Sequence, residues 1–530
     1  MSLFRPSSKS RLSKASVSSY CGSFLAMPVG SLLVLGCLLS GGAAHAGTLS
    51  SWRGTVNGNW GNSGNWSTAV NTTGTFSLVF GGTTRVNTTN NLGAVSIDSL
   101  AFTNNGSAGR TSAFTLSGSS LQLLNASVTT TAFTSGAVTD VISAPVTIVG
   151  TASFVIGSAH NVRLSNTVSG GTISKSGIGS LFLTGSFASD LSIAQGSVGV
   201  NAVSAVSLDE RIVKLTGTGA VGGNLTYSDF TGSTSAQFQL DGNGGVNVVD
   251  GSLVRFTNPT FNVPSASSAA TLTFSGGGVT PSSVVVDGVI GDNLAGAVSV
   301  SIIEGNLYEF NGINTYTGVT SIASSAKALV DGQIFGSVTS AGHLGGSGTI
   351  IGPVAMTNGG ILSPGGTSAG SGSVTDTIGT LTLGNSLTLG SSVTSRFTVG
   401  GTSAGLDYDQ ILGSSSVDYG GTLALTLTGT QAYAKDTVFN LFKDFSSRTG
   451  DFSSITLAAA GTPYNGLSFT NLGGGIWETG STAAPLGEYL RFEQATGDLV
   501  VVPEPSTFVL AGLGVVLAGA QVWRRRRVAA

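Results

Sequence analysis

Two aspartates on either side of a tyrosine have a spacing that could support chemistry. Asp407 and Asp409 flank Tyr408, and such a pair could act as paired acids or supply oxygen ligands to calcium. The neighbouring residues add no third carboxylate, whereas a calcium site needs several oxygens. We therefore expect Asp407 and Asp409 to lie in a structural surface loop.

Two histidines remain once the N-terminal leader is set aside, His160 and His343. Neither has a cysteine or a carboxylate at a metal-binding spacing, so we expect no metal and no cofactor. Both histidines are interpreted as solvent-exposed or as members of a side-chain ladder. A small charged cluster comprises Asp209, Glu210 and Arg211. We expect it at a solvent-exposed corner.

Three tryptophans near the start of the body could stack on sugar rings. They are Trp52, Trp60 and Trp66, at spacings of eight and six residues. The alternative is that they cover the open hydrophobic end of a repetitive fold, which every such fold must cap. We favour the capping role.

The elements that must position these residues are short β-strands. Gly accounts for 80 of 530 residues and charged residues for 9%, yet 40% of the chain is apolar. Apolar residues alternate with Thr or Ser, and Gly or Asn stands between the runs, in segments 114–123, 381–390 and 422–428. This period of two predicts strands joined by tight glycine-rich bends.

Two segments resemble the halves of the autotransporter-associated β-strand repeat. Residues 173–185 match its Lys-x-Gly-x-Gly-x-Leu-x-Leu half and residues 310–322 match its Asn-Thr-Tyr-x-Gly-x-Thr half, although each copy lacks the other half. The tryptophan-rich opening is also similar to such proteins. Further similar segments are 345–350, 360–365, 408–411 and 450–452.

The resemblance implies an all-β fold, a right-handed parallel β-helix or solenoid. One rung cannot bury its apolar face, but stacked rungs share a core, and ladders of Ser, Thr and Asn replace charge and disulfides. At ~25 residues per rung, residues 47–502 give roughly 18 rungs. Residues 47–345 would be the repeat solenoid and 346–502 its distal part. An array of β-sandwiches is the alternative, because antiparallel strands alternate in the same way.

The last part of the chain, residues 503–530, has three segments. Pro503, Glu504 and Pro505 predict an exposed, extended hinge, because proline cannot continue a helix or a ladder. Residues 508–523 carry no charge and reach roughly 24 Å as a helix, enough to span a membrane with help from the polar ends. A basic cluster that would stay on the cytoplasmic side follows: Arg524, Arg525, Arg526 and Arg527.

This three-part end closely resembles the PEP-CTERM sorting signal of exported proteins in Gram-negative bacteria. The resemblance implies that exosortase, a membrane-embedded cysteine transpeptidase, recognises and removes the tail. The protein would then be anchored transiently by the transmembrane helix before it reaches the cell surface or the extracellular matrix. An ordinary single-pass anchor is the alternative.

The other end reads as a signal peptide over residues 1–46. A basic leader precedes an apolar stretch, and Ala44, His45 and Ala46 form a small-residue cleavage site, so signal peptidase should cut between Ala46 and Gly47. A lipoprotein site at Cys37 is the alternative. The chain's two cysteines both lie in this leader, so the exported body must be stable without disulfides.

The net charge of the exported body limits the kinds of partner that the protein could bind. Of 22 basic and 25 acidic residues, four basic residues lie in the leader, and four basic residues and Glu504 lie in the tail, so the exported body is near −10. This charge argues against nucleic acid as a partner. One hypothesis is a non-enzymatic surface or matrix protein that binds extracellular polysaccharide. The other is a β-helix polysaccharide lyase or glycosidase, which needs acidic residues that converge on adjacent rungs.

Overall fold

Short strands and tight turns make up the part of the chain that the computed structural model describes. This part comprises residues 47–103, 112–132, 137–201, 208–217, 222–278, 280–368, 372–430, 432–480 and 487–503. It contains one 3-10 turn, Ser63–Asn65, and no α-helix. Buried leucines alternate with partly exposed residues, mostly threonines, in strands such as Thr380–Leu383 and Thr422–Leu427. The prediction of an all-β body is confirmed.

Sheet B is the longest sheet, with sixteen strands that pair in parallel. Its strands are Asn87–Asn90, Thr115–Gly118, Val138–Ile142, His160–Leu164, Ser180–Leu183, Gly196–Asn201, Gly223–Ser228, Gly244–Val249, Ala270–Ser275, Val298–Ile302, Thr320–Ile322, Val338–Ser340, Val354–Met356, Leu387–Leu389, Ser416–Tyr419 and Ser447–Gly450. Successive strands start on average about 24 residues apart, close to the predicted rung length.

Sheet A contributes ten parallel strands in the first half of the body. They are Thr48–Ser51, Thr75–Phe80, Val95–Phe102, Leu121–Thr130, Val146–Val155, Val168–Ser176, Phe187–Ile193, Ile212–Leu215, Gln237–Leu240 and Asn262–Val263. Sheet D has six parallel strands in the second half. They are Ile313–Asn314, Gln333–Ile334, Thr349–Ile350, Thr380–Leu383, Gln410–Leu412 and Phe442–Lys443.

Sheet C has ten parallel strands and begins midway along the chain. They are Thr231–Thr234, Leu253–Phe256, Ser283–Val286, Leu307–Phe310, Lys327–Val330, His343–Gly346, Ile361–Pro364, Thr394–Val399, Thr422–Leu427 and Ser454–Ala458. One excursion between rungs carries a small antiparallel pair, Thr367–Ser368 with Val374–Thr375.

The chain visits these sheets in turn and then returns to the first of them one strand further along. Strands Leu307–Phe310, Ile313–Asn314 and Thr320–Ile322 belong to sheets C, D and B, and the next three strands repeat that order. Inward apolar residues form one continuous core from Trp52 to Val501. Long parallel sheets in this order are consistent with a β-helix solenoid.

The C-terminal part of the body folds differently. A five-stranded antiparallel sheet, sheet E, follows the parallel rungs. Its strands are Val438–Asn440, Phe469–Gly473, Ile476–Thr479, Glu488–Glu493 and Asp498–Pro503. The predicted solenoid up to residue 502 did not include this sheet, because antiparallel strands show the same period of two.

Pro503 corrects one expectation for the tail. It ends the strand Asp498–Pro503 and lies opposite Glu488, so it is not part of an exposed hinge. A proline fits at a strand end where no further N–H is needed for the ladder. Signal-peptide residues Ala44 and Ala46, the rest of the sorting signal and the predicted helix 508–523 lie outside the described residues. Within those residues, no helix is long and apolar enough to cross a membrane.

Candidate binding surface

The two aspartates of segment 407–409 hold different parts of the backbone. Asp409 is buried, and its carboxylate accepts N–H bonds from Gly379 at 2.9 Å and from Thr398 at 2.6 Å. Asp407 accepts the Ser403 N–H at 3.1 Å. Burial raises the pKa of Asp409 to about 7. The prediction of a surface loop was therefore wrong for Asp409, which anchors the end of the excursion between rungs.

His160 is also buried rather than solvated. Its Nε2 lies 2.7 Å from Asp140 Oδ2 and its Nδ1 lies 2.9 Å from the Thr131 carbonyl oxygen. Because the carbonyl can only accept, Nδ1 carries a hydrogen, and the second contact needs a hydrogen on either Nε2 or the carboxyl group. The pair is therefore neutral overall. The sequence did not indicate Asp140 as a partner of His160, because the two residues are twenty positions apart and lie on adjacent rungs.

His343 begins a strand of sheet C and is largely covered. Burial lowers its pKa to about 4, so the imidazole is uncharged at neutral pH. Its Nε2 makes no hydrogen bond within the described residues. Nearby, Lys327 Nζ donates to the Gly372 carbonyl at 2.7 Å and so ties the excursion to the sheet. Of the two alternatives for His343, the solvent-exposed one was wrong, and the residue is paired with Lys327 and Ile361 on the adjacent strands.

The three tryptophans are buried at the start of the core. Their rings lie 5.0 to 5.4 Å apart in edge-on contacts, Trp52 with Trp66 and Trp60 with Trp66, and all three pack on Phe80. Trp60 Nε1 donates to the Thr88 hydroxyl at 3.0 Å, so its polar atom is satisfied inside. These rings cap the hydrophobic end, as predicted, and present no open face to a sugar.

The charged cluster at residues 209–211 forms an exposed turn, as predicted. Asp209 Oδ1 accepts the Ser235 N–H at 2.7 Å, and Glu210 adopts a positive φ of 60°. Within the residues that the structure describes, no three His, Cys, Asp or Glu side chains are grouped to hold a metal ion.

Lys175 is a buried residue whose role the sequence analysis missed, although its motif was noted. Its Nζ donates to three carbonyl oxygens, those of Ser176 at 2.9 Å, Gly177 at 2.6 Å and Gln195 at 3.0 Å. Burial lowers its pKa to about 8. The lysine of the Lys-x-Gly-x-Gly half thus bonds the carbonyls of its own turn and of the next rung.

Gly47, the expected first residue of the exported chain, meets an acidic group. Its nitrogen lies 2.5 Å from Asp98 Oδ2, and Asp98 Oδ1 accepts the Ser77 hydroxyl at 2.7 Å. The first strand starts one residue later, at Thr48. Cleavage after Ala46 would therefore place the new positively charged amino terminus beside a carboxylate.

The outer side of sheet B carries a register of small polar side chains, the hydroxyl column. Its fourteen members occupy successive strands in exact pairing: Thr139, Asn161, Ser180, Ser197, Asn224, Gly245, Thr273, Ser301, Ser321, Thr339, Ala355, Thr388, Asp418 and Thr449. Eleven of them carry a hydroxyl or amide, and Asp418 alone carries a charge. Strands ~4.8 Å apart repeat these groups at a spacing comparable to one sugar residue.

An aromatic ring lies beside the early part of this column. Phe182 is half-buried over Gly199, where a Cβ atom would approach within 2.7 Å of the ring. The Arg163 guanidinium lies 6.0 Å from the ring centroid, at cation–π distance. Hydroxyl, amide, aromatic and guanidinium groups therefore lie together on one outward surface, and these groups bind sugars by hydrogen bonding and stacking.

Comparisons with known proteins find similarity at the C-terminal end. Residues 501–527 match the family model described as PEP-CTERM protein-sorting motif. No curated protein matches the chain, and no solved structure matches it. The similarity to autotransporter-associated β-strand repeats is not confirmed. The sorting motif indicates an exported, surface-directed protein of Gram-negative bacteria that depends on exosortase for sorting.

Proposed function

We propose that this protein is a non-enzymatic component of the cell surface or extracellular matrix that binds extracellular polysaccharide along its parallel sheets. The observation that carries the proposal is the hydroxyl column, which offers a hydroxyl or amide group on eleven of its fourteen strands. Each contact would be weak, and repetition along the column would multiply the contacts into useful affinity.

The proposed architecture is a right-handed parallel β-helix whose body ends in sheet E. Parallel pairing in sheets A to D and the single continuous core support it. A body without disulfides suits this function, because the continuous apolar core and the parallel pairing stabilise it without any redox requirement.

Processing at both ends completes the proposal. Signal peptidase removes residues 1–46, and the helix 508–523 holds the chain in the membrane until exosortase removes the tail near Pro503, Glu504 and Pro505. The sorting motif supports the second step. Because Pro503 ends the last strand of sheet E, the cut would leave a body with almost no trailing segment.

Co-sedimentation of the exported protein with purified matrix polysaccharide tests the binding, and a glycan activity screen tests the absence of turnover. The informative variant is Thr273→Glu with Ser301→Glu, which places two carboxylates side by side in the hydroxyl column. We expect it to weaken binding at least tenfold. The matched control is Thr147→Glu with Ser169→Glu, an outward pair on adjacent strands of sheet A.

Equal binding by the wild type and the sheet B variant would contradict the role of the column. Release of sugar products, abolished by substitution of Asp407 or Asp409, would instead favour the lyase or glycosidase hypothesis. Mature protein from the native host that still ended in Arg524–Arg527 would contradict tail removal.

A further inference from the structure

Four exposed apolar side chains lie on the stacked segments where sheet D turns towards sheet B. Phe335 is 43% exposed, Ile351 36%, Ile313 58% and Val319 42%; we call them the Phe335 ledge. The Phe335 N–H donates to Asn314 O at 3.2 Å, and the Ile351 N–H to Ile334 O at 2.8 Å. Phe335 and Ile351 therefore stack on successive rungs. Ile313 lies on the preceding rung, opposite Gln333 and so two positions along from Phe335.

Polar side chains that bond no other described residue border this ledge. Gln333, Thr349 and Thr382 are in register on adjacent strands, one beside the next. Their side chains make no hydrogen bond within the described residues, and Phe335 makes no ring contact there. One edge of the ledge thus offers an amide and two hydroxyls that remain available to a ligand.

The charge around the ledge is also distinctive. The four stacked segments 313–320, 333–338, 349–354 and 382–387 contain no charged residue. Two acidic residues adjoin these segments, Asp331 just before Gln333 and Asp292, which accepts the Thr317 hydroxyl at 2.7 Å. A polymer rich in carboxylates would meet repulsion here, whereas an uncharged polymer would not.

The size of the ledge favours a narrow ligand. From the four fractional exposures, and about 200 Å² for a fully exposed side chain of this kind, the ledge presents roughly 350 Å². A stable protein interface buries about 800 Å² on each partner. The ledge is therefore too small for a stable contact with a second copy of the chain but wide enough for one or two sugar rings.

We propose that the Phe335 ledge is a binding site for neutral polysaccharide, separate from the hydroxyl column. The C–H face of a sugar ring stacks on Phe335, with Ile351 and Ile313 beside it, and Gln333, Thr349 and Thr382 bond its hydroxyl groups. This proposal rests on the proposed function, to which it adds a second site and the charge class of the polymer.

The test uses the exported protein and four soluble probes: laminarin, hydroxyethylcellulose and dextran as neutral polymers, and polygalacturonate as an acidic one. Affinity electrophoresis or calorimetry compares the wild type with Phe335→Ala, Phe335→Trp and Gln333→Ala. The matched control is Leu406→Ala, which removes an apolar side chain that is 81% exposed elsewhere. Equal thermal melting of all variants verifies folding.

We expect Phe335→Ala to weaken binding of at least one neutral probe about tenfold, Phe335→Trp to retain it and Leu406→Ala to leave it unchanged. Preference for polygalacturonate, or equal binding by Phe335→Ala and a wild type that does bind, would overturn this proposal and leave the proposed function standing. A concentration-dependent dimer abolished by Phe335→Ala, with no effect on glycans, would overturn it in favour of self-association. No binding of any probe or of matrix polysaccharide by the wild type would overturn both proposals.

Discussion

Two stretches of the interior satisfy buried backbone groups with different chemistry. In residues 137–201, three successive rungs bury Asp140, His160 and Lys175, which we call the charged column. Further along the chain, buried asparagines bond the backbone instead. We call Asn293, Asn306 and Asn314 the turn asparagines. In both stretches the side chains bond N–H or C=O groups of neighbouring rungs.

The turn asparagines achieve this without any charge. Asn306 accepts the Ser282 N–H at 3.0 Å and donates to Val248 O at 2.8 Å, so one amide satisfies a donor one rung back and an acceptor two rungs back. Asn314 accepts the Ile290 N–H at 3.0 Å in the same manner. An amide does not titrate, whereas a buried ion pair loses its balance when one partner is removed. The rungs of the charged column should therefore depend on intact partners and, through Lys175, on pH, whereas the hydrogen bonds of the turn asparagines should not depend on pH.

Removal of His160 should have the largest effect. His160→Leu leaves Asp140 buried without its imidazole partner, and we expect a loss of about 3–5 kcal/mol in local stability at pH 7. Hydrogen exchange of peptides from residues 138–164 measures this loss, because solenoid rungs open locally.

The control for that variant is Asn161→Ala, on the same strand but facing outward. We expect a change within about 0.5 kcal/mol. If His160→Leu cost no more than this control, the pair with Asp140 would contribute nothing to the early rungs, and the contrast with the asparagines would disappear.

The turn asparagines should show a smaller effect that is independent of pH. Asn306→Ala leaves the Ser282 N–H and the Val248 carbonyl without their partner, a loss of about 2–3 kcal/mol. Asn306→Asp places a carboxylate against that carbonyl, so its loss should be greater at pH 7 than at pH 4. Hydrogen exchange of peptides from residues 282–310 at both pH values gives the result. Equal losses for the two variants at pH 7 would contradict this account.

The sequence predicted the elements better than the interior chemistry. Alternation at Leu381 and Leu383 identified strands correctly, because a period of two depends only on neighbouring residues. The pairing of His160 with Asp140 depends on rung length, which no local pattern fixes. Asp409 was wrongly predicted to lie at the surface for the same reason. Its partners, the backbone N–H groups of Gly379 and Thr398, lie on other turns. Sheet E was missed because antiparallel strands alternate in the same way as parallel ones.

Lys175 should give the charged column a dependence on alkaline pH. Burial lowers the pKa of Lys175 from 10.5 to about 8. Between pH 8 and pH 10.5 the lysine is therefore mostly protonated in the unfolded chain and mostly deprotonated in the folded one. The free energy of unfolding should therefore rise from pH 8 to pH 10, on the order of 2 kcal/mol. Lys175 is the sole lysine, and there is no tyrosine, between residues 112 and 201. The difference in unfolding free energy between the wild type and Lys175→Met, measured by melting at both pH values, should change by this amount from pH 8 to pH 10; a difference that stays constant would assign the effect to another group.

The smallest effects should come from the outer side of the same rungs. Thr139 and Thr273 both belong to the hydroxyl column, one beside the charged column and the other near the turn asparagines. Although Thr139 accepts a hydrogen bond from Asn161 at 3.3 Å, neither residue faces the core, so Thr139→Ala and Thr273→Ala should each change stability by less than about 0.5 kcal/mol. Melting at pH 7 and pH 10 should show no difference between them. A loss above about 1 kcal/mol for either variant would mean that the hydroxyl column stabilises the fold. Weaker polysaccharide binding by these variants could then result from a less stable fold as well as from the changed surface.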